Sequence, residues 1–291
     1  MGSAQRSSMA EARARIEAIA GVTHVVADLA AVEAAYTRWL GYQVVDRTPV
    51  AAADAARWQA PVMLGCPALT LLPASSEACF LRFIEHSSAS GYRALTSFGW
   101  TATELVVQDV DALAAQLADS PFEIIGPPQG LTRFPMIRAM QVIGLGGECL
   151  YCTEVGPGSG LTLAPARSFV GRVFIVVAGG PDVRHLFETY AAFANAVDLP
   201  VATPVRIISD ANGMPPGTLH PHGLVRLGGG TMIELDGYPT AARPRKVAAG
   251  ALPPGMAIVH LRTSGRPGVV RGAGGEIVDF VGGESDDAPN D

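Results

Sequence analysis

The chain has 291 residues, a length typical of about two domains, and its 48% hydrophobic content is enough for a buried core. A net charge of −6, without a cluster of Lys or Arg among aromatic residues, argues against a nucleic-acid partner, because phosphates attract basic surfaces. The longest apolar runs have strand length and are cut by Gly or Pro, so no membrane span is predicted.

The N-terminal segment, residues 1–16, is polar and leads into a charged helix predicted to begin near Met9. It lacks the apolar centre of a signal peptide, so we expect a cytoplasmic protein. Such a protein keeps its four cysteines reduced, including the CxxC pair Cys149 and Cys152. Residues three apart on a strand point to opposite faces, so this pair predicts strand packing rather than a zinc or redox site.

Two β-α-β-β-β units are predicted in the first half. The first begins with a strand over residues 22–28 and an amphipathic helix that has Val32, Tyr36 and Leu40 on one side and ends at Gly41. Its further strands are predicted over residues 42–46, around 62–64 and over 79–84. From Trp100 the order repeats: a strand to 107, a helix over 110–117, and strands over 122–125, 137–142 and 149–154.

The second half predicts a third unit and a shortened fourth one. The third has a strand over residues 170–177, a helix over 182–197 and strands over 204–209, 224–227 and 231–236; the fourth keeps only strands over 256–261 and 276–281. We therefore predict a first domain over residues 17–156, a linker over 157–168 and a second domain over 169–283. Residues 284–291 are an acidic tail, predicted to be disordered.

A glycine turn running into a short apolar strand occurs three times, over residues 144–152, 228–235 and 272–280. At one recurrent position these repeats carry Tyr151, Glu234 and Asp279, the first candidates for a functional role. The helices also share a spacing, because Asp28 to Tyr36 is repeated as Asp182 to Tyr190.

Four ordered motifs connect the chain with a known family. They are Asp28-Leu29, Tyr36-x-x-x-Leu40-Gly41-Tyr42-x-Val44-Val45, Val107-x-Asp109-Val110-Asp111-Ala112, and the strand 137–142 before its glycine turn. With these motifs the chain resembles the vicinal oxygen chelate superfamily of glyoxalases, bleomycin-resistance proteins and ring-cleaving dioxygenases. The resemblance is strongest over residues 20–155. It implies an α+β fold of repeated βαβββ modules that form cupped mixed sheets in two tandem domains.

The resemblance also implies a divalent metal on the concave face of a cup, held near the start of each first strand and on each last strand. In the first two units these positions are Gly21, Ala102, Arg82 and Tyr151. Gly and Ala offer no side-chain donor and Arg82 would repel a cation, so we expect no metal and no other cofactor there.

In the second half the last strands offer the carboxylates of Glu234 and Asp279, but the first strands offer no donor around Val173, Gly255 or Ala257. If an ion binds, the candidate ligands are Glu234, Asp279 and His260, and Fe²⁺ is the candidate metal. The alternative is that both carboxylates are solvated or pair with Arg226 or Arg262.

The remaining histidines give weaker signals. Strand alternation places His24 on the helix-packed side of its sheet, and His86 and His185 are predicted at the surface. His220 and His222 flank a proline in a loop before a strand, which without a nearby third donor is a weak indication of a ligand or catalytic role.

Period-two alternation predicts that the cup of the first two units is an apolar bowl holding Arg82, Glu104 and Tyr151. One hypothesis is that Arg82 stabilises a substrate oxyanion while Glu104 or Tyr151 moves a proton. The alternative is a buried Arg82–Glu104 ion pair that only fixes the bowl. The residues predicted to line the substrate pocket are Thr23, Trp58, Phe80, Trp100 and Met136.

These observations favour a metal-independent enzyme of lyase, isomerase or hydrolase type, acting on a small, partly apolar oxygenated molecule. Two alternatives stay open: a non-catalytic binding protein of bleomycin-resistance type, and a non-haem iron ring-cleaving dioxygenase. The expected partner is a small-molecule substrate or ligand. Because a neighbouring subunit often covers the cup in this superfamily, the resemblance also implies a possible homodimer.

Overall fold

The computed structural model describes residues 16–131, 134–159, 163, 165–193, 196–272 and 274–282. The helix predicted near Met9 and the tail from residue 284 lie outside these ranges. No helix among the described residues is long and apolar enough to cross a membrane.

The first two modules have the predicted β-α-β-β-β order. Module 1 contains β1 (Ile16–Val26), α1 (Leu29–Trp39), β2 (Gln43–Asp46), α2 (Ala52–Arg57), β3 (Ala68–Leu72) and β4 (Phe80–Glu85). Module 2 contains β5 (Gly99–Val107), α3 (Val110–Leu117), β6 (Glu123–Leu131), β7 (Phe134–Ile143) and β8 (Cys149–Val155). Helices α1 and α3 begin at aspartate caps, because the carboxylates of Asp28 and Asp109 accept hydrogen bonds from the amides of Ala31 and Ala112.

Modules 3 and 4 follow, and the described residues of module 4 include no helix, as predicted. Module 3 contains β9 (Val170–Gly180), α4 (Val183–Tyr190), β10 (Ala196–Pro204), α5 (Arg206–Ala211), β11 (Leu219–Arg226) and β12 (Met232–Gly237). Module 4 contains β13 (Gly255–Thr263), β14 (Gly268–Arg271) and β15 (Ile277–Gly282).

Three predicted elements are wrong. The strand around residues 62–64 is a 3₁₀ helix, Pro61–Met63, and the third strand of module 1 is β3 instead. The helix predicted to residue 197 ends at Tyr190, and the strand predicted over 204–209 is α5. Residues 62–64 and 204–209 are short apolar runs, and hydrophobic periodicity alone does not distinguish a buried strand from a buried helical turn.

The strand ladders combine the modules differently from the prediction. One seven-stranded sheet has the order β14-β15-β13-β1-β4-β3-β2, and one eight-stranded sheet has the order β10-β11-β12-β9-β5-β8-β7-β6. Modules 1 and 4 therefore share one sheet, the outer-module cup, and modules 2 and 3 share the other, the inner-module cup. The expectation that modules 1 and 2 form one cup is wrong, because β1 pairs antiparallel with β13 and β5 pairs antiparallel with β9.

The convex faces of the two sheets pack against each other around one apolar core that includes Phe83, Trp100 and Val176. His24 lies in this layer, as predicted: it is buried, stacks on Phe83, and has Nε2 3.3 Å from Thr103 Oγ1 of the other sheet. Burial lowers the pKa of His24 to about 3. The two concave faces consequently point away from each other.

The two tyrosines that share the same spacing from an aspartate cap connect the two sheets through hydrogen bonds. Tyr36 on α1 donates a hydrogen bond of 2.8 Å to Glu148, which ends the glycine turn of module 2. Tyr190 on α4 donates one of 3.0 Å to Glu276, in the glycine turn of module 4. Each helix thus ties its own module to the module that follows, and both ties are buried.

Candidate functional site

The outer-module cup is filled by its own chain. We call residues 52–63, which comprise α2 and the 3₁₀ helix after it, the plug. Trp58 of the plug is almost fully buried, and its Nε1 donates to Asp279 Oδ2 at 3.1 Å. Arg57 donates to Asp279 Oδ1 from Nε at 2.8 Å. The plug therefore covers the concave face of the outer-module cup.

Arg82 belongs to this plugged cup and is already paired. Its Nη1 lies 3.0 Å from Asp54 Oδ2 of the plug, and its guanidinium carbon is 5.3 Å from the centre of the Trp58 ring. Glu104 lies on β5, in the other sheet. The proposed Arg82–Glu104 pair and the proposed joint role of the two residues are thus wrong.

His260 and Asp279 also lie in the outer-module cup. His260 Nε2 is 2.8 Å from Thr23 Oγ1, and its Nδ1 is 3.3 Å from Asp279 Oδ2. Burial works against ionisation of Asp279, but hydrogen bonds from His260 and Arg57 outweigh it and lower the pKa of Asp279 to about 2. Glu234 lies in the inner-module cup, so the predicted ligand set of Glu234, Asp279 and His260 does not come together.

The inner-module cup contains Glu104. Its side chain is buried, and Oε1 accepts a hydrogen bond from the hydroxyl of Thr153 on β8. Burial raises the pKa of Glu104 to about 7, although the Thr153 hydrogen bond and His222 favour the ionised form. Glu104 can therefore exchange a proton near neutral pH.

Three further polar groups stand on the adjoining strands β11 and β12. His222 is directly opposite Asp236, and Glu234 is two residues before Asp236 on the same face of β12. His222 Nδ1 lies 3.2 Å from Asp236 Oδ1 and 3.5 Å from Glu234 Oε1. Burial lowers the pKa of His222, but the two carboxylates outweigh it and raise this pKa to about 9. Burial also raises the pKa of Glu234.

Tyr151 completes the polar part of this cup. It lies opposite Glu104 in the β5–β8 ladder, and its buried hydroxyl has no hydrogen-bond partner among the described residues. Cys149 joins the apolar cluster of the concave face, whereas Cys152 joins the core between the sheets. The two cysteines thus point to opposite faces, as predicted.

The structure divides the predicted site residues into three groups. Thr23, Trp58, Phe80 and Arg82 lie in the outer-module cup; Glu104 and Tyr151 lie in the inner-module cup; Trp100 and Met136 lie in neither. Trp100 is buried between the sheets, where its Nε1 donates to Ile277 O, and Met136 is exposed on β7. Sequence reasoning missed Asp236 and gave His222 little weight, whereas alternation along the last strand of module 2 already placed Thr153 on the concave face beside Tyr151. Only the alternation after Glu234 could have indicated Asp236.

A metal does not fit the positions that the family uses. In the outer-module cup the ring of Phe80 lies against Gly21, so that a Cβ at residue 21 would come within 2.6 Å of it. In the inner-module cup, Ala102 on β5 precedes the helix cap Asp109, and the residue at the same separation before the cap Asp182 is Ile175 on β9. Neither Ala102 nor Ile175 has a side-chain donor for a metal. The four family ligand positions of the inner-module cup are therefore Ala102, Tyr151, Ile175 and Glu234, and Glu234 is the one carboxylate among them.

Solved structures with the same arrangement of cupped mixed sheets confirm the α+β fold of repeated βαβββ modules that the resemblance implied. One solved structure with this fold is glyoxalase I from Zea mays, with 12% sequence identity, a TM-score of 0.56, and coverage of 91% of this chain and 92% of that chain. Another is a "putative dioxygenase" from Bacillus subtilis subsp. subtilis str. 168, with 13% identity, a TM-score of 0.59, and coverage of 94% and 87%. No family model and no curated protein matches the chain.

Proposed function

We propose that the protein is a small-molecule enzyme of lyase or isomerase type whose acid/base chemistry takes place in the inner-module cup. The single observation that carries this proposal is Glu104, a buried carboxyl with a pKa of about 7 that is held on a concave sheet face by Thr153. A general acid or base is most effective when its pKa lies near the working pH.

The neighbouring groups support a proton transfer next to a carbonyl group. Glu104 would take a proton from the carbon beside the carbonyl, and the electron pair of the broken C–H bond would move onto the carbonyl oxygen. The unpartnered hydroxyl of Tyr151 is available to donate a hydrogen bond to that oxygen. Beside these groups Ala102, Cys149 and Val177 form an apolar cluster that Ile207 and Ile208 of α5 cover, so a partly apolar substrate would bind at the edge of this cluster.

This proposal keeps the proton transfer by Glu104 from the sequence-based hypothesis and replaces the predicted oxyanion group and pocket residues. The oxyanion role given to Arg82 passes to Tyr151, because Arg82 is paired in the other cup. The proton transfer still uses protein groups alone and no ion at the family positions. The expected cytoplasmic location and homodimer stay predictions.

The test is exchange of solvent deuterium into small ketones and α-keto acids, such as phenylacetone and phenylpyruvate, followed by NMR. We expect the wild type to accelerate exchange, and Glu104→Gln to lower the rate by roughly 10² to 10⁴ while still binding the same compounds. Glu148→Gln is the matched control, since Glu148 is another buried glutamate with a raised pKa but lies outside both cups.

Exchange by Glu104→Gln at the wild-type rate would refute the proposed role of Glu104. A wild type that binds these compounds tightly, but exchanges none of them, would favour the bleomycin-resistance type of sequestration instead. Binding is read separately, by saturation-transfer NMR, so the two outcomes are distinct.

A further inference from the structure

Three buried or half-buried carboxylates meet one imidazole in the inner-module cup. They are Glu104, Glu234 and Asp236, grouped around His222. Among the described residues, no arginine or lysine forms an ion pair with any of these carboxylates. His222 alone therefore offers a positive charge to three carboxylates, and the excess of buried negative charge is costly because burial disfavours the charged form.

We propose that His222, Glu234 and Asp236 bind a divalent cation, although only Glu234 stands at a position that the family uses and His222 lies on the neighbouring strand β11. One ligand atom from each residue lies within 4.8 Å of the others. One imidazole with two carboxylates suits an ion that accepts both nitrogen and oxygen ligands, such as Mn²⁺ or Zn²⁺.

The spacing of the donors matches a coordination shell. Two ligand atoms about 2.1 Å from one ion are about 3.0 to 3.4 Å apart at octahedral or tetrahedral angles. The distances of 3.2 and 3.5 Å from His222 Nδ1 to the two carboxylates fall close to this range. The antiparallel register of β11 and β12 fixes these distances through the backbone.

Two buried polar atoms without hydrogen-bond partners in the described part of the chain lie at the same place. Oδ2 of Asp236 has no partner among the described residues, although the side chain is fully buried. The hydroxyl of Tyr151, also buried and unpartnered, is electrostatically coupled to both Asp236 and Glu234. Buried polar atoms in native proteins nearly always have partners, and a bound cation with its water ligands would supply them.

The outer-module cup also holds a histidine beside an aspartate, but there both side chains have further hydrogen-bond partners. There, His260 and Asp279 also lie 3.3 Å apart, but Arg57 and Trp58 donate to the Asp279 carboxylate and Thr23 contacts the other imidazole nitrogen. The arginine supplies a fixed positive charge, whereas in the inner-module cup His222 is the one side chain that can be cationic among the described residues paired with the carboxylates. We therefore expect a cation in the inner-module cup only.

This inference goes beyond the proposed function, which assigns proton transfer to Glu104 and does not require the ion. A cation at this place would polarise a substrate oxygen beside the Glu104 carboxyl. The two proposals fail separately, because ion binding is measured here without a substrate.

The experiment uses the full chain, purified without a metal-chelating tag, stripped with a chelator and titrated with Mn²⁺ or Zn²⁺ by calorimetry. We expect one site per chain, confirmed by elemental analysis after dialysis. His222→Gln and Asp236→Asn should each weaken the binding by about 10-fold to 100-fold or more. His260→Gln is the matched control and should bind like the wild type, and Glu104→Gln should keep the ion even if it loses turnover.

Folding of each variant is checked before the titration by measuring the melting temperature of the chelator-treated protein. Glu234→Gln provides a third variant if one fails to fold. Replacement by Co²⁺ adds a second readout: the visible absorption of the wild-type complex should change in His222→Gln, since a nitrogen ligand is lost. The proposal is refuted if the wild type binds no stoichiometric ion, or if folded His222→Gln and Asp236→Asn bind with wild-type affinity.

Discussion

Replacing Glu148 by Gln should remove part of the pH dependence of stability. Glu148 ends the glycine turn of module 2, is buried, and accepts the Tyr36 hydroxyl hydrogen bond that ties α1 to that turn. Burial raises the pKa of its carboxyl from 4.5 to about 7, against the opposing effect of the turn amides. Gln keeps the shape and an acceptor oxygen but does not ionise.

The direction of the change in stability with pH follows from the number of protons bound in the folded and unfolded states. Between pH 4.5 and about 7 the folded chain keeps a proton on Glu148 that the unfolded chain has lost, so stability is greater at low pH and is lost as pH rises through this window. A pKa difference of this size corresponds to about 3 kcal/mol in total, of which roughly 2 to 3 kcal/mol is lost between pH 5 and pH 8.

The assay is urea unfolding at pH 5, 6, 7 and 8. The free energy of unfolding of Glu148→Gln minus that of the wild type should increase by roughly 2 to 3 kcal/mol from pH 5 to pH 8, because only the wild type loses stability over this range. Glu188→Gln, on the exposed face of α4, is the control and should leave the wild-type pH profile unchanged. If the profiles of Glu148→Gln and the wild type are parallel, the Glu148 carboxyl does not titrate as its burial implies.

Two further predictions concern the outer-module cup. Gly21→Ala should lower the free energy of unfolding by about 1 to 3 kcal/mol, because the new Cβ would come within 2.6 Å of the Phe80 ring, and Phe80→Leu in the same chain should recover much of the loss. Equal losses in the single and the double variant would contradict this contact. Trp58→Ala should cost about 3 to 5 kcal/mol in urea unfolding, since it empties the centre of the plug and removes a hydrogen bond to Asp279. A cost below about 1 kcal/mol would show that the plug is not packed.

The module order and much of the local placement could be predicted from the sequence. The aspartate caps and the apolar stripes of α1 and α3 specify helices through contacts within one or two turns. Strand alternation likewise placed Glu104 and Tyr151 on one face of neighbouring strands, where the structure has them. These features depend on residues close together in the chain or within one module.

The candidate cation site was only partly predictable. Glu234 stood out because it recurs at the position of Tyr151 and Asp279, but its neighbours were uncertain. His222 was assigned to a loop, whereas it lies within β11, directly opposite Asp236. The grouping became evident only with the register of this strand pair, since shifting the pairing by one residue would send Asp236 to the other face.

The sequence by itself determined the units: four of them, the last without a helix, each with a sheet face that must be buried. Only the tertiary structure decided that module 1 pairs with module 4 and module 2 with module 3. It also decided that Arg57 of the plug pairs with Asp279 in one cup, whereas Glu234 and Asp236 meet His222 in the other. The physical reason is that backbone hydrogen bonds between strands are nearly the same for any partner strand. The choice between partners therefore depends on packing between residues as distant in the chain as His24 and Met256, which no local pattern records.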